Sequence, residues 1–434
     1  MHIHFIGIGG IGVSALARHF LLNGDKVTGS DLTDSEIIQS LIKEGAKVSI
    51  GHSKDNIGKN IDKVIFSPAI PKDNPERKKA DRLGLTCQSY PQALGELTKD
   101  YFTIAVSGTH GKSTTTSMAG LMMDKAGLDP TVIVGTKLTE FNNSNYKKGD
   151  SKYLLIEADE WQGSLLNYSP DIVVLTNLEL EHLDYYKDLD SLVATFQDYL
   201  KNIKKDGKVI LNGEDENLKK LKTDKKTYKF SKKEKIADKV KSVLKVPGDH
   251  NLENGLAVFK LGDLLGVDKE TILAGLSLFK GTWRRFEQKK ITVGGSSYEL
   301  ILDYAHHPTE LRAVLEACRE KFPQKEIWAI FQPHQYQRSL HLKDDFKKVF
   351  SESPVDKLFI TDIYSVPGRE KEEIKKKINS KKLTEKTKAC HLSGDLDDLA
   401  QFLRDNLQGD ELMVIIGAGD IYKLEASLKG YKNQ

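Results

Sequence analysis

Short apolar runs, each closed by glycine, aspartate, serine or proline, alternate with stretches of helical spacing from one end of the chain to the other. That alternation predicts strands and helices in turn, the pattern of parallel sheets flanked by helices. In a first block, strands are expected at 3–6, 26–30 and 64–67 and helices at 13–22 and 35–43, with the block closing around 90–99. A second block opens with a strand at 102–107, turns through glycines into a helix at 112–126, and continues with strands at 153–157 and 172–176. A third carries strands at 300–303, 327–331, 358–361 and 413–416, with a helix at 309–322 among them. The divisions this suggests are 1–98, 99–287 and 288–434.

Length agrees with three blocks: 434 residues at ~100–200 residues per domain favour three domains. The 65 basic and 62 acidic side chains leave a net charge of only +3, too balanced for a protein built to coat nucleic acid, so no nucleic-acid partner is expected. Lysine crowds the segment 219–245, but acids are mixed in, and a solvated helix-and-loop surface explains it better than a nucleic-acid patch. Cys87, Cys318 and Cys390 are far apart and form no CxxC, which fits a reducing compartment and argues against a disulfide scaffold or a zinc site. The amino terminus enters a strand-like run with no basic or long apolar leader, and no apolar run reaches the length of a membrane span. A cytoplasmic protein without membrane insertion is therefore expected.

Two glycine turns carry the chemistry. Gly7-Ile-Gly9-Gly10-Ile-Gly12 sits between the first strand and first helix, where backbone N–H groups at the positive helix end can receive a phosphate. Asp31 closes the next strand, where an acid can accept from a ribose hydroxyl. Glycines that merely allow helix–strand packing would leave the same pattern. The second turn, Gly108-Thr109-His-Gly111-Lys112-Ser113-Thr114, is a shortened P-loop with Val106 where a full one has glycine. Its amides can cradle a β-phosphate, the Lys112 ammonium can reach β- and γ-oxygens, and the Ser113 hydroxyl can ligate Mg²⁺. Hard oxygen ligands for that metal are offered at two strand ends, Glu157-Ala-Asp159-Glu160 and Thr176-Asn177-Leu-Glu179-Leu-Glu181-His182. A simple dehydrogenase would need one nucleotide loop, and this chain has two.

Read together with Asp249-His250-Asn251-Leu-Glu-Asn254, Arg284-Arg285-Phe286, Asp303-Tyr304-Ala-His306-His307-Pro308 and Phe331-Gln-Pro-His334, these motifs occur in the order seen in Mur ligases. The chain resembles that family along nearly its whole length, most closely its alanine-adding branch. The resemblance implies an α/β protein of three domains: a Rossmann-like N-terminal domain for a UDP-sugar, a central P-loop-type ATPase domain, and a C-terminal Rossmann-like domain that carries the amino acid and closes over both. It implies joining of an amino acid, L-alanine, to the lactyl carboxylate of UDP-N-acetylmuramate through an acyl phosphate, with ATP as co-substrate and Mg²⁺ as cofactor, by a monomer or homodimer. A recycling ligase that adds a peptide to the same nucleotide sugar, or a Mur-like nucleotide sensor without turnover, are the alternatives.

Carried over by residue, the resemblance assigns Gly9, Gly10, Gly12, Asp31, Ser67, Arg284 and Arg285 to the UDP-sugar. Gly108, Thr109, Gly111, Lys112, Ser113, Thr114, His250, Asn251 and Asn254 fall to ATP; Ser113, Glu157 and His182 to the metal; and Tyr304, His306, His334 and Arg338 to the amino acid. Lys112, Glu157, His182 and His306 are the implied catalytic set, His306 orienting the amine or taking its proton. The chain departs from the family pattern at Trp161 and Gln162, where Ser-Asp is usual, and at Gln335, where arginine is usual. Several Mur ligases also carry a carbamylated lysine after the His-x-Asp motif, whereas 190–200 here contains no lysine.

Overall fold

The computed structural model describes residues 1–182, 185–366, 370 and 372–430. Its strands form three sheets of five, seven and six strands. Contacts divide the chain into two units. One comprises Met1–Val243 and Glu253–Phe279 and contains the first two sheets; the other comprises Leu244–Leu252 and Lys280–Gln434 and contains the third.

In the first sheet all strands are parallel, in the spatial order Lys47–Ile50, Lys26–Asp31, His2–Ile6, Lys63–Phe66 and Thr86–Ser89. The order reverses beside His2–Ile6, so the crevice beyond its carboxyl end is the switch point where such sheets bind ligands. The two outer strands, Lys47–Ile50 and Thr86–Ser89, bury little and alternate weakly, which is why hydrophobic patterning did not predict them. Ser35 caps the helix Glu36–Lys43 by accepting from Ile38 N–H, one residue later than the expected start.

The second sheet places Phe102–Ser107 centrally, between Ile172–Leu175 and Tyr153–Glu157, all parallel. An antiparallel pair, Thr131–Leu138 with Ser144–Lys147, closes one edge. Lys226–Phe230 closes the other, paired parallel to Lys208–Asn212. The lysine-rich segment is thus more than the expected helices and loops: it supplies an edge strand, and lysines on such a strand oppose further strand addition. In the third sheet Ser296–Asp303, Ile327–Phe331 and Leu412–Ile416 form a parallel centre, extended by the antiparallel strand Glu287–Val293. Phe331, Phe346 and Phe350 pack on one face of this sheet, and Trp328 with Phe359 on the other.

Candidate functional site

The first glycine turn links His2–Ile6 to the helix Ile11–Leu22. Gly7 has φ +77°, and its N–H and that of Ile8 donate to the Ser30 carbonyl at 2.8 and 3.1 Å. Gly9 N–H donates to Asp31 Oδ2 at 2.8 Å. A Cβ at Gly9 would stand 2.9 Å from that same oxygen, and one at Gly12 would stand 2.9 Å from the Tyr90 ring. Gly10, at the helix N-cap, brings no side-chain cap, which leaves first-turn N–H groups for a phosphate. Ser67 lies against Gly7, and its hydroxyl accepts from Ala69 N–H at 3.3 Å. The structure therefore brings Ser67, Gly9, Gly10, Gly12 and Asp31 around one turn. Asp31, expected on a ribose hydroxyl, already accepts from Gly9 and, through Oδ1, from Leu32 N–H at 2.8 Å.

The P-loop follows the central strand of the second sheet in the same unit. Gly108 and Gly111 adopt φ +128° and +81°, and a Cβ at Gly108 would meet Thr176 Oγ1 at 2.3 Å. Asn177 clamps the loop from both sides of His110, accepting from its N–H at 2.8 Å and donating to its carbonyl at 3.0 Å. Thr109 does the same with the backbone of Glu179, at 2.9 Å each way. Asn254 accepts from Thr115 at 3.0 Å and fills the space that a side chain at Gly111 would need. Thr114 is buried in the first turn of the helix Lys112–Lys125.

Lys112 is buried, and its ammonium donates to the Gly108 and Thr109 carbonyls and, at 2.8 Å, to Glu160 Oε2. Burial alone would lower its pKa, but Glu160 and Asp159 outweigh that and raise it. Glu160 is fully buried. Burial raises its pKa, and the Lys112 and His182 cations prevail to hold it down. His182, with φ +55°, stands 3.5 Å from Glu160 Oε1, and this proximity raises its pKa against the lowering effect of burial.

Glu157 instead accepts from Ser113 Oγ at 3.0 Å and from Gly135 N–H at 2.8 Å. The acids gathered with His182 are thus Asp159 and Glu160, their ligand atoms all within 4.8 Å of one another. Of that strand end, the resemblance assigns only Glu157 to the metal. The Glu157-Ala-Asp-Glu run held the signal for the other two, but a bare run does not say which side chains leave the sheet on the side of the helix start. Asp184, last residue of the His-x-Asp motif, lies outside the described residues.

The second unit gathers a separate cluster. Tyr304 and His306 follow the strand Ser296–Asp303, their rings 5.4 Å apart, and His334 lies 6.0 Å from His306 and stacks on Tyr364 at 5.5 Å. Arg338 donates to the His334 carbonyl at 3.2 Å. His307 has a structural task, since its Nδ1 accepts from Thr309 N–H as the cap of Pro308–Lys321. His306 is held differently. Its Nδ1 sits 3.1 Å from the Tyr304 carbonyl and 3.4 Å from Glu310. Tyr364 was not foreseen, and nothing in its spacing marks it. Gln335 takes φ +70° at the start of Tyr336–His341.

Arg284, assigned to phosphate or sugar, is buried under Tyr422 and Tyr304, 4.4 and 4.8 Å from their rings. Its Nη2 donates to the Gly417 carbonyl and, at 3.1 Å, to that of Gly419. Arg285 lies 5.6 Å from the Tyr304 ring. The adjacent Asp303 accepts from Phe286 and Ala305 N–H, and burial pushes its pKa up to about 6. Burial also lowers the pKa of His250 to about 4. Asn251 donates to the Pro247 carbonyl at 2.6 Å.

Comparison with known proteins matches three family models in chain order: "Mur ligase family, catalytic domain" over residues 2–102, "Mur ligase middle domain" over 106–262, and "Mur ligase, glutamate ligase domain" over 284–419. The chain is 38% identical to a UDP-N-acetylmuramate--L-alanine ligase of Clostridium botulinum, covering 98% of this chain and 96% of that protein. It is 39% identical to the ligase of the same name from Clostridium tetani, covering 97% and 96%. Among solved structures, UDP-N-acetylmuramate-alanine ligase MurC of Thermotoga maritima aligns with a TM-score of 0.80 at 28% identity, over 99% of this chain and 98% of that one. A murein peptide ligase from Psychrobacter arcticus, at 23% identity and TM-score 0.74 over the full length of both chains, shares the fold. The chain belongs to the Mur ligase family.

Proposed function

We propose that this protein is an ATP-dependent carboxylate–amine ligase of peptidoglycan precursor synthesis that joins L-alanine to UDP-N-acetylmuramate in the cytoplasm. The observation that carries the reading is the pairing, in one unit, of a sugar-nucleotide-type glycine turn with a P-loop whose Lys112 and Ser113 adjoin an acid–histidine cluster. The names of the relatives supply the substrates. A lactyl carboxylate is a poor acyl donor. One of its oxygens attacks the γ-phosphorus of ATP, the bond to the β–γ bridging oxygen breaks, and ADP leaves with that electron pair. The neutral amine of alanine then attacks the acyl carbon, expels phosphate and gives up a proton.

Lys112 and the N-terminus of its helix counter the charge on the transferring phosphoryl group. Glu160, His182 and Asp159 are the residues that would hold Mg²⁺. Glu160 Oε1 is buried with no hydrogen-bond partner among the described residues, and a carboxylate–carboxylate–imidazole set suits a hard divalent ion. Bound there, the metal would offset negative charge on the phosphate oxygens. Ser113 and Glu157, hydrogen-bonded to each other at 3.0 Å, are the further ligands expected for that ion. His306 is the group that would orient the amine or take its proton, with Tyr304, His334 and Arg338 as the amino-acid surround.

The test is ADP release measured with UDP-N-acetylmuramate and each of the twenty amino acids, with a peptide arm. Release that needs both the sugar nucleotide and L-alanine supports the reading. Release only with the peptide makes this a recycling ligase, and binding without release makes it a sensor.

A further inference from the structure

The helix Ile11–Leu22 starts at the glycine turn, and one face, with Val13, Leu16 and Ala17, packs into the first sheet. Its other face carries Ser14, Ala15, Arg18 and His19, all buried as well. What covers them is the antiparallel edge of the second sheet, the strands Thr131–Leu138 and Ser144–Lys147. Ala15 and Tyr146 belong to the core of that second sheet, and His19 meets the Tyr146 hydroxyl at 3.1 Å.

Asn145 is the polar centre of this contact and is 1% exposed. Its Nδ2 donates to the Ile11 carbonyl, in the first turn of the helix, and to Ser14 Oγ at 2.9 Å. Its Oδ1 accepts from Arg18 Nη1 at 2.6 Å, and Arg18 Nε holds Glu44 at 2.9 Å. The strand that carries Asn145 pairs with Thr131–Leu138. From that strand, Gly135 N–H donates to Glu157 at 2.8 Å, and Glu157 accepts from Ser113 of the P-loop at 3.0 Å. Hydrogen bonds and one strand pairing, whose register shifts between Ile133 and Leu138, therefore link the helix start at the sugar-nucleotide turn to the P-loop.

We propose that Asn145 is a positioning residue, which sets the register of the sugar-nucleotide turn against the P-loop so that the lactyl carboxylate meets the γ-phosphate in line. This rests on the functional reading above. Phosphoryl transfer needs reacting atoms about 3–3.5 Å apart, and a shift of ~1 Å costs on the order of 10²-fold. Binding of either nucleotide alone does not depend on that register, because each turn is built within its own sheet.

Asn145→Ala is expected to lower the single-turnover rate roughly 10–100-fold, while the KM for UDP-N-acetylmuramate and for Mg-ATP stay within about twofold. A role confined to stability would reduce the active fraction and the thermal midpoint without that split. Tyr146→Phe removes only the His19 contact, eight residues beyond Ile11 in the sequence, and should leave the rate unchanged. Should Asn145→Ala fail to fold, Ser14→Ala, which removes one partner of the amide, is measured in the same way and should show a smaller loss of the same kind. A wild-type rate in the folded variant, or a loss lying in either KM, overturns the proposal. No ADP release by the wild-type protein with any acceptor would instead overturn the functional reading and the positioning role with it.

Discussion

Glu76 offers a perturbation whose size can be worked out from its neighbours. It begins the short helix Pro75–Arg82, is fully buried, and binds four donors. His4 Nε2 at 3.2 Å and Ser30 Oγ at 2.6 Å meet Oε2, while Ser53 N–H at 3.0 Å and Asn56 Nδ2 at 2.7 Å meet Oε1. The carboxylate thus fastens two strands and the loop after the third at the ligand end of the first sheet. Ser30 is the residue whose carbonyl receives Gly7 and Ile8. Glu76→Gln keeps the shape but turns one acceptor into a donor: facing Ser53 and Asn56 the N–H₂ group meets two donors, and facing Ser30 and His4 it makes that hydroxyl and that ring accept where they donated. At ~1–3 kcal/mol for a buried group left without a partner, the expected cost is about 1–3 kcal/mol at pH 7.

The cost must fade in acid. Burial would raise the Glu76 pKa, but the bonds from His4, Ser30 and Asn56 outweigh it and hold the group below its ordinary value. A carboxyl depressed in the folded state stabilises above its unfolded pKa of ~4.3, and that contribution is lost as pH falls through the folded pKa. The other titratable groups facing it are His4 and His52, the latter 3.6 Å away, with His2 one step removed through Thr28. Scanning calorimetry of wild type and Glu76→Gln from pH 8 to pH 4 should show a constant gap down to about pH 5 and a narrowing one below it. A weaker KM for UDP-N-acetylmuramate at pH 7, with the KM for ATP unchanged, should accompany it. Equal midpoints at pH 7, or a gap that widens in acid, would refute the reasoning.

Lys112→Met should lower turnover by at least ~10²–10³-fold while calorimetric titration still finds UDP-N-acetylmuramate bound at wild-type affinity; equal loss of both contradicts the division between the two turns. Gln335→Arg should lower the KM for L-alanine, by no more than the ~1.5–3 kcal/mol of a charged hydrogen bond, because a guanidinium grips an α-carboxylate where an amide does not. A wild-type enzyme already saturated at micromolar alanine and indifferent to the change would show that Gln335 faces elsewhere. Activity should not respond to bicarbonate, since the helix Leu189–Lys201 carries lysine only at its last residue, where Lys201 is exposed and pairs with Asp198 at 2.7 Å; rescue of a CO₂-depleted sample would contradict this.

Much of this architecture was legible because the decisive positions obey short-range rules. Ile327–Phe331 is a continuous apolar run buried on both faces, and Tyr153–Glu157 has a buried apolar centre closed by an acid, so both strands are bounded to the residue by the sequence pattern. The turns at Gly7–Gly12 and Gly108–Gly111 need glycine for positive φ or for close approach, so the motif and the geometry are one fact. What escaped depends on partners distant in sequence. The edge strands bury too little to alternate, and Asn145 lies 134 residues from the carbonyl it binds. Which acids of the Glu157–Glu160 run join His182 depends on how the chain turns after leaving the sheet.

On the function proposed above, recognition is an exchange of partners. Asp31 holds Gly9, Arg284 holds the Gly417 and Gly419 carbonyls, and Lys112 holds Glu160. A ligand that draws on any of them replaces a bond already made, so each contact yields only the difference between two hydrogen bonds, ~0.5–1.5 kcal/mol in typical cases. The same exchange keeps the groups placed before the ligand arrives. Lys112 is the clearest instance, because its two loop carbonyls can remain its partners while the third, Glu160, is the one that a phosphate would replace. The buried ion pair thus does the placing: with two carbonyls and a carboxylate as partners, the Lys112 ammonium has its position fixed before any phosphate is bound.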